Sequence, residues 1–144
     1  MTSRVHAERA SRRAFSLFEI LIVIAIIGLL AALAVPRLVK QLGKAQVQTT
    51  KANIALLNGA VVSFRTDVGR YPSEQEGLAA LVSNDASIEQ WDGPYLERVT
   101  LPQDGWNRDF VYKLDEQFGY RIVSYGADGQ PGGDGENADL DNRT

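Results

Sequence analysis

The chain has 144 residues, 44% hydrophobic and 23% charged, with a net charge of −3; that is enough for one domain with its own core and too little for two ordinary ones. It has no cysteine and a single histidine, His6, which excludes a disulfide framework, a thiolate metal site, a cysteine nucleophile and a histidine base in the folded body. Residues 1–14 hold four arginines (Arg4, Arg9, Arg12, Arg13) against Glu8, a net +3, so the other 130 residues carry −6, and an acidic body argues against a nucleic-acid partner.

From Ile20 to Val35 run sixteen residues without a polar side chain, and Phe15 to Glu19 extend the segment to 21. A helix of ~20 residues crosses the ~30 Å hydrocarbon core, so residues 15–36 are expected to form a single membrane-spanning helix. The arginines before it keep residues 1–14 in the cytoplasm and send the chain beyond Pro36 across the membrane. A cleavable secretory signal is the competing reading. Its apolar core is usually 7–15 residues, roughly, and the present run is longer and continues into more helix. Glu19 is anomalous, because a carboxylate in a spanning stretch costs at least ~2.5 kcal/mol on insertion scales. Either it snorkels to the headgroups near the end of the span or it finds a cationic partner.

The run Arg12-Arg13-Ala14-Phe15-Ser16-Leu17-Phe18-Glu19-Ile20 resembles the cleavage motif of type IV prepilins and pseudopilins. The resemblance implies that a prepilin peptidase removes residues 1–14 by cutting between Ala14 and Phe15. It also implies methylation of the new amine on Phe15 and a glutamate, Glu19, at the fifth mature position. The family favours glycine before the cut, where this chain has Ala14. In a filament, the Phe15 amine of one subunit would then neutralise Glu19 of its neighbour and pair the buried charge.

Beyond Pro36, Ile54, Leu57, Val61, Phe64 and Val68 recur at spacings of three and four, which is one buried helical face. Gly69 is a C-cap candidate and Pro72 a stop signal, so one helix is expected from Phe15 to Val68 with Pro36 as a kink or local break. Gly28, Ala31, Ala32 and Ala34 fit both ordinary membrane-helix composition and close helix packing in a filament core.

Residues 37–144 are then expected to hold the rest of the helix, a small globular part and an acidic tail. Ser73 to Glu76 fits a capping box opening a short helix over 74–82. The runs 110–114 (FVYKL) and 120–125 (YRIVSY) read as a hairpin whose five-residue loop ends in Gly119. A small antiparallel sheet covering the apolar face of a long helix is an α+β arrangement. Trp91, Tyr95 and Trp106 are assigned to packing rather than to a ligand. Gly69-Arg70-Tyr71-Pro72, Glu76-Gly77-Leu78, Leu81, Trp91-Asp92-Gly93-Pro94-Tyr95, Leu101-Pro102, Asp104, Trp106 and Tyr112 together resemble the body of a major pseudopilin, which implies the type IV pilin-like fold. Gly105 departs from it, since proline often stands before that tryptophan.

The tail from Tyr125 to Asp139 places Asp128, Asp134, Glu136 and Asp139 among five glycines. Calcium takes six to eight oxygens, roughly, from carboxylates and carbonyls, and glycines let carbonyls turn inward; on composition alone a solvated, mobile tail is the commoner case. The run Ser124-Tyr125-Gly126-Ala127-Asp128-Gly129 resembles the start of the calcium loop of major pseudopilins. The resemblance implies Ca²⁺ ligation by Asp128 and Asp139 with the backbone carbonyls of Tyr125 and Gln130, and Asp134 or Glu136 as alternates.

The family resemblance implies a major pseudopilin of a type II secretion system. Such a subunit sits in the inner membrane with its C-terminal domain in the periplasm, polymerises with itself into a pseudopilus, and drives export of folded proteins across the outer membrane. Its implied partners are minor pseudopilins, the prepilin peptidase and the inner-membrane assembly platform. No Gly-rich phosphate loop followed by Lys-Ser/Thr occurs, so the motive ATPase is another protein. The alternative is a type IV pilus pilin for adhesion or motility, and the absence of cysteine together with the acidic loop favours the pseudopilin. A membrane-anchored enzyme is not expected, because no nucleophile or acid-base constellation is present.

Overall fold

The computed structural model describes residues 15–143; Ala14 and the rest of the basic segment lie outside them. The chain divides into two compact units, one ending at Leu38 and the other beginning at Val39. The element order is helix α1 (Leu17–Val68), a 3-10 turn (Gly77–Leu81), strands β1 (Val111–Asp115) and β2 (Gly119–Ser124), a second 3-10 turn (Gly135–Asn137) and strand β3 (Leu140–Asp141).

In the first unit every described residue is exposed, with Leu17 at 80% and Leu33 at 65% of their full exposure. This part of α1 is long and apolar enough to cross a membrane, and surface of that extent has to be covered by lipid or other chains. Such an N-terminal apolar helix fits membrane anchoring. Pro36 lies inside α1, which runs through it as one helix, so of the expected kink or local break the break is absent. A proline removes one helical hydrogen bond, which a long helix tolerates when the flanking turns hold.

The second unit carries the core. Ile54, Leu57, Val61 and Phe64 are at most 4% exposed, and they pack with Leu78, Leu81, Ile88, Leu96, Phe110, Tyr120, Ile122 and Leu140. Each fully buried side chain of this size contributes ~1.5–3 kcal/mol. Val68, the last member of the expected stripe, is partly buried at the edge of this cluster. Gly69 ends the helix as expected, with φ +80° and its amide bonded to the Arg65 carbonyl at 2.9 Å.

Trp91 and Tyr95 pack edge-on, 5.6 Å between centroids, and the Trp91 indole donates to the Ala80 carbonyl. Tyr95 also meets Phe64 edge-on, so the aromatics serve packing, as assigned.

The sheet is antiparallel in the order β1-β2-β3. The hairpin loop is shorter than the sequence indicates, covering residues 116–118. Asp115 Oδ1 accepts the amides of Gln117 and Phe118, and Gly119 at φ +89° pairs with Asp115 inside the ladder. A side chain at Gly119 would also run into the Tyr71 ring. β3 has no signature in the sequence, since two residues carry no periodicity.

The Ser73 capping box forms reciprocally: Glu76 N donates to Ser73 Oγ at 3.3 Å, and Ser73 N to Glu76 Oε2 at 2.7 Å. The α-helix expected over 74–82 does not follow it. Gly77 adopts φ +55°, outside the helical region, and only the 3-10 turn Gly77–Leu81 forms.

Arg70 grips both oxygens of Glu76 at 2.7 Å. This hydrogen bond, aided by those from Ser73, lowers the Glu76 pKa from 4.5 to about 2. A depressed carboxylate pKa contributes stability above the unfolded value and loses it as pH falls through the folded one. The thermal midpoint should therefore fall between pH 4.5 and about 2 more steeply in the wild type than in Glu76→Gln, whose amide keeps the cap without the charge. Equal slopes in scanning calorimetry would remove the ion pair from the account.

Candidate functional site

The acidic glycine segment is the connection between β2 and β3. Ser124 pairs with Leu140, so the ligand candidates Tyr125 and Asp139 are the next residue beyond that pair on each strand. The ladder thereby holds the two ends of a fifteen-residue loop together.

Inside the loop, Gly126 is buried at φ +57°, and a Cβ there would fall 2.6 Å from the Asn137 carbonyl. Only glycine lets the two limbs approach so closely. Ala127 N donates to the Glu136 carbonyl at 2.8 Å, and Gly129 N to the Tyr125 carbonyl at 3.0 Å. Asp128 Oδ1 accepts the Gln130 amide at 3.0 Å, an Asx turn that leaves its second oxygen free for a ligand.

Asp139 Oδ1 is buried with no hydrogen-bond partner among the described residues. A buried carboxylate oxygen is costly unless something donates to it or a cation meets it. This orphaned oxygen is a hard donor of the kind that calcium takes.

Among the described residues no three His, Cys, Asp or Glu side chains converge as a metal cluster. A site here would rest on two aspartates and backbone carbonyls rather than on a carboxylate cage. Asp134 and Glu136 are exposed. Asp134 flanks the 3-10 turn Gly135–Asn137, and the Glu136 carboxylate lies on α1 at Gly43, where a Cβ would fall 2.0 Å from it. Gln130 and Asp128 are exposed, while Tyr125 is half-buried.

Residues to which the sequence assigned no part in the site hold this loop in place. Asp104 is 4% exposed; its Oδ1 accepts the amides of Trp106 and Arg108 at 2.9 Å, and its Oδ2 accepts the Ser124 hydroxyl at 2.7 Å. The adjoining Gly105 N donates to Thr50 Oγ1 of α1 at 2.8 Å, and Thr50 donates in turn to the Gln46 carbonyl. A side chain at Gly105 would strike the Gln46 backbone at 2.2 Å. One buried carboxylate thus ties the 104–108 turn to the last residue of β2, and its neighbour ties the turn to α1. Asp104-Gly105, with Asn107 close behind, has the composition of a turn, but nothing in the sequence points to the long-range partner Ser124.

At the other end of the chain, Phe15 and Glu19 are exposed. Ser16 accepts the Glu19 amide through its carbonyl at 3.0 Å and the Phe18 amide through its hydroxyl at 3.3 Å, starting the helix.

Comparison with known proteins matches both parts of the chain. The family described as Type II secretion system (T2SS), protein G, matches residues 37–143, and the prokaryotic N-terminal methylation motif matches residues 9–35. The Type II secretion system core protein G of Vibrio cholerae is 36% identical over 132 residues, covering 89% of each chain. Its namesake in Pseudomonas aeruginosa is 36% identical over 141 residues, covering 94% of this chain and 97% of that one. Among solved structures, the major pseudopilin from the type 2 secretion system of enterohaemorrhagic Escherichia coli is similar at a TM-score of 0.54 and 33% identity, over 69% of this chain and 87% of that one.

Removing the Asp104 carboxylate strands two amides and a hydroxyl in the interior. Asp104→Ala should lower the unfolding free energy by ~3 kcal/mol, and Ser124→Ala, which removes one donor, by ~1 kcal/mol. Urea denaturation of both variants checks the ratio.

Proposed function

Because the chain belongs to the type II secretion system protein G family, we propose that it is the major pseudopilin subunit of such a system, acting by assembly rather than by catalysis. The observation that carries this reading is the pairing of a fully exposed apolar helix with a compact body that has its own core. The family match over the body and the similar secretion-system proteins favour the secretion subunit over the alternative of an adhesive or motile type IV pilin, while the methylation motif over the helix fits both.

In this reading prepilin peptidase cuts between Ala14 and Phe15 and the Phe15 amine is methylated. The helix anchors the subunit in the inner membrane with the body in the periplasm. Subunits polymerise, with the Phe15 amine of one meeting Glu19 of the next, since a charge withdrawn from water is retained only when paired. Minor pseudopilins and the inner-membrane platform are the partners of that assembly, and the filament drives folded proteins across the outer membrane.

The β2–β3 loop is assigned to Ca²⁺, held by Asp128 and Asp139 with the carbonyls of Tyr125 and Gln130. When bound, the ion supplies a double positive charge that gathers these oxygens. The chain's part is to hold the loop ends at Ser124 and Leu140 and to aim Asp139 Oδ1 inward.

A ligand of the native state stabilises by RT ln(1 + [L]/Kd), about 2.7 kcal/mol at a hundredfold excess over Kd. Calcium added after EGTA should raise the thermal midpoint by several degrees. Magnesium, which demands tighter octahedral geometry, should not, and Asp139→Asn should lose most of the shift. A midpoint indifferent to calcium would sink the metal assignment.

For assembly, Glu19→Ala should reduce cross-linked multimers in membranes at least tenfold, as expected for an uncompensated partner charge, while the body keeps its calcium response. Wild-type multimer yield in that variant would remove Glu19 from the interface.

A further inference from the structure

The side chain of Arg108 has no part in the reading above, yet it contacts the same loop. Its backbone amide is fixed by Asp104 Oδ1, so the side chain starts from a defined point beside β2. Nη2 donates to the Ala127 carbonyl. Nη1 is buried without a protein partner and lies 2.2 Å from where a Gly129 Cβ would be. The guanidinium therefore touches the residues on either side of Asp128 while Asp128 itself remains exposed.

We propose that Arg108 is a positioning residue for calcium: it holds the Ala127–Gly129 turn in the shape that presents Asp128, and so sets the affinity of the loop for the ion. The proposal rests on the calcium reading.

Two effects oppose each other. A fixed cation repels a divalent ion, and a fixed turn spares the ion the work of ordering the loop. Ordering prevails here for two reasons. The loop carries four carboxylates, Asp128, Asp134, Glu136 and Asp139, against the one guanidinium, so it still attracts a cation. Its five glycines all have positive φ, a conformation that a free glycine-rich chain occupies only part of the time. Gly129 is required twice, for its φ of +69° and for the space the guanidinium fills.

The test is a calorimetric titration of calcium chloride into the full-length chain in detergent micelles, for the wild type, Arg108→Met and Arg108→Lys. Methionine keeps the length and removes the charge and both donors; lysine keeps the charge without the planar fork. The expected result is a loss of affinity of about tenfold for Arg108→Met and an intermediate loss for Arg108→Lys. A residue that only supports the fold would lower the midpoint in EGTA and leave Kd unchanged.

If the wild type binds no calcium, the metal assignment itself fails. If the wild type binds and Arg108→Met binds as tightly or more tightly, only the positioning role is overturned. Should Arg108→Met not fold, Gly129→Ala replaces it, because its Cβ competes with Nη1 for one space. Weaker binding is expected from Gly129→Ala as well, and an unchanged Kd would overturn the role.

Discussion

Asp104 is the residue on which the organisation of the body turns. A carboxylate taken out of water is tolerated only when its lone pairs are met, and here the donors come from parts of the chain distant in sequence. Trp106 and Arg108 amides close the turn at one oxygen, while the hydroxyl of Ser124, twenty residues on, meets the other. The adjacent Gly105 amide reaches Thr50 on α1. The end of β2, the turn and the helix are thereby fixed to one another at a single buried point, and the loop that follows Ser124 starts from a determined place.

That placement lets a weak element do structural work. β3 has two residues and pairs with β2 at only two positions, too little to stand alone. It is held by its surroundings. Leu140 is in the core, Arg121 and Asp141 form an ion pair, and Arg143 reaches both Asp115 and the Tyr120 carbonyl. Closing β3 onto β2 turns the acidic segment from a tail into a loop with fixed ends, which limits the conformations open to it.

The first unit obeys the opposite constraint. Its described residues are all exposed, so its apolar side chains depend on a medium or on neighbours, whereas the body has its own core. A carboxylate at Glu19 in such a helix makes sense only beside a partner charge or a water interface. The division after Leu38 separates a part that needs partners from a part that folds around its own core.

The elements that the sequence determined are those written in periodicity or in local chemistry. These are the apolar span, the stripe of Ile54, Leu57, Val61 and Phe64 along α1, the Gly69 cap, the reciprocal Ser73–Glu76 bonds and the two strands of the hairpin, because each depends on residues within a few positions of one another. Asp128 and Asp139 were named as candidates through the resemblance of the run Ser124 to Gly129 to a calcium loop, since glycine and carboxylate composition alone fits a solvated tail as well. What only the tertiary structure decided are pairings across long stretches of chain: Asp104 with Ser124, Arg108 with Ala127, Glu136 on Gly43, and β3 on β2. Gly77 shows the limit from the other side, since a good capping signal was followed by one residue whose backbone left the helical region. Side-chain bonds between distant residues leave no periodic trace, and they form only once the hydrophobic face of α1 has brought those segments within reach.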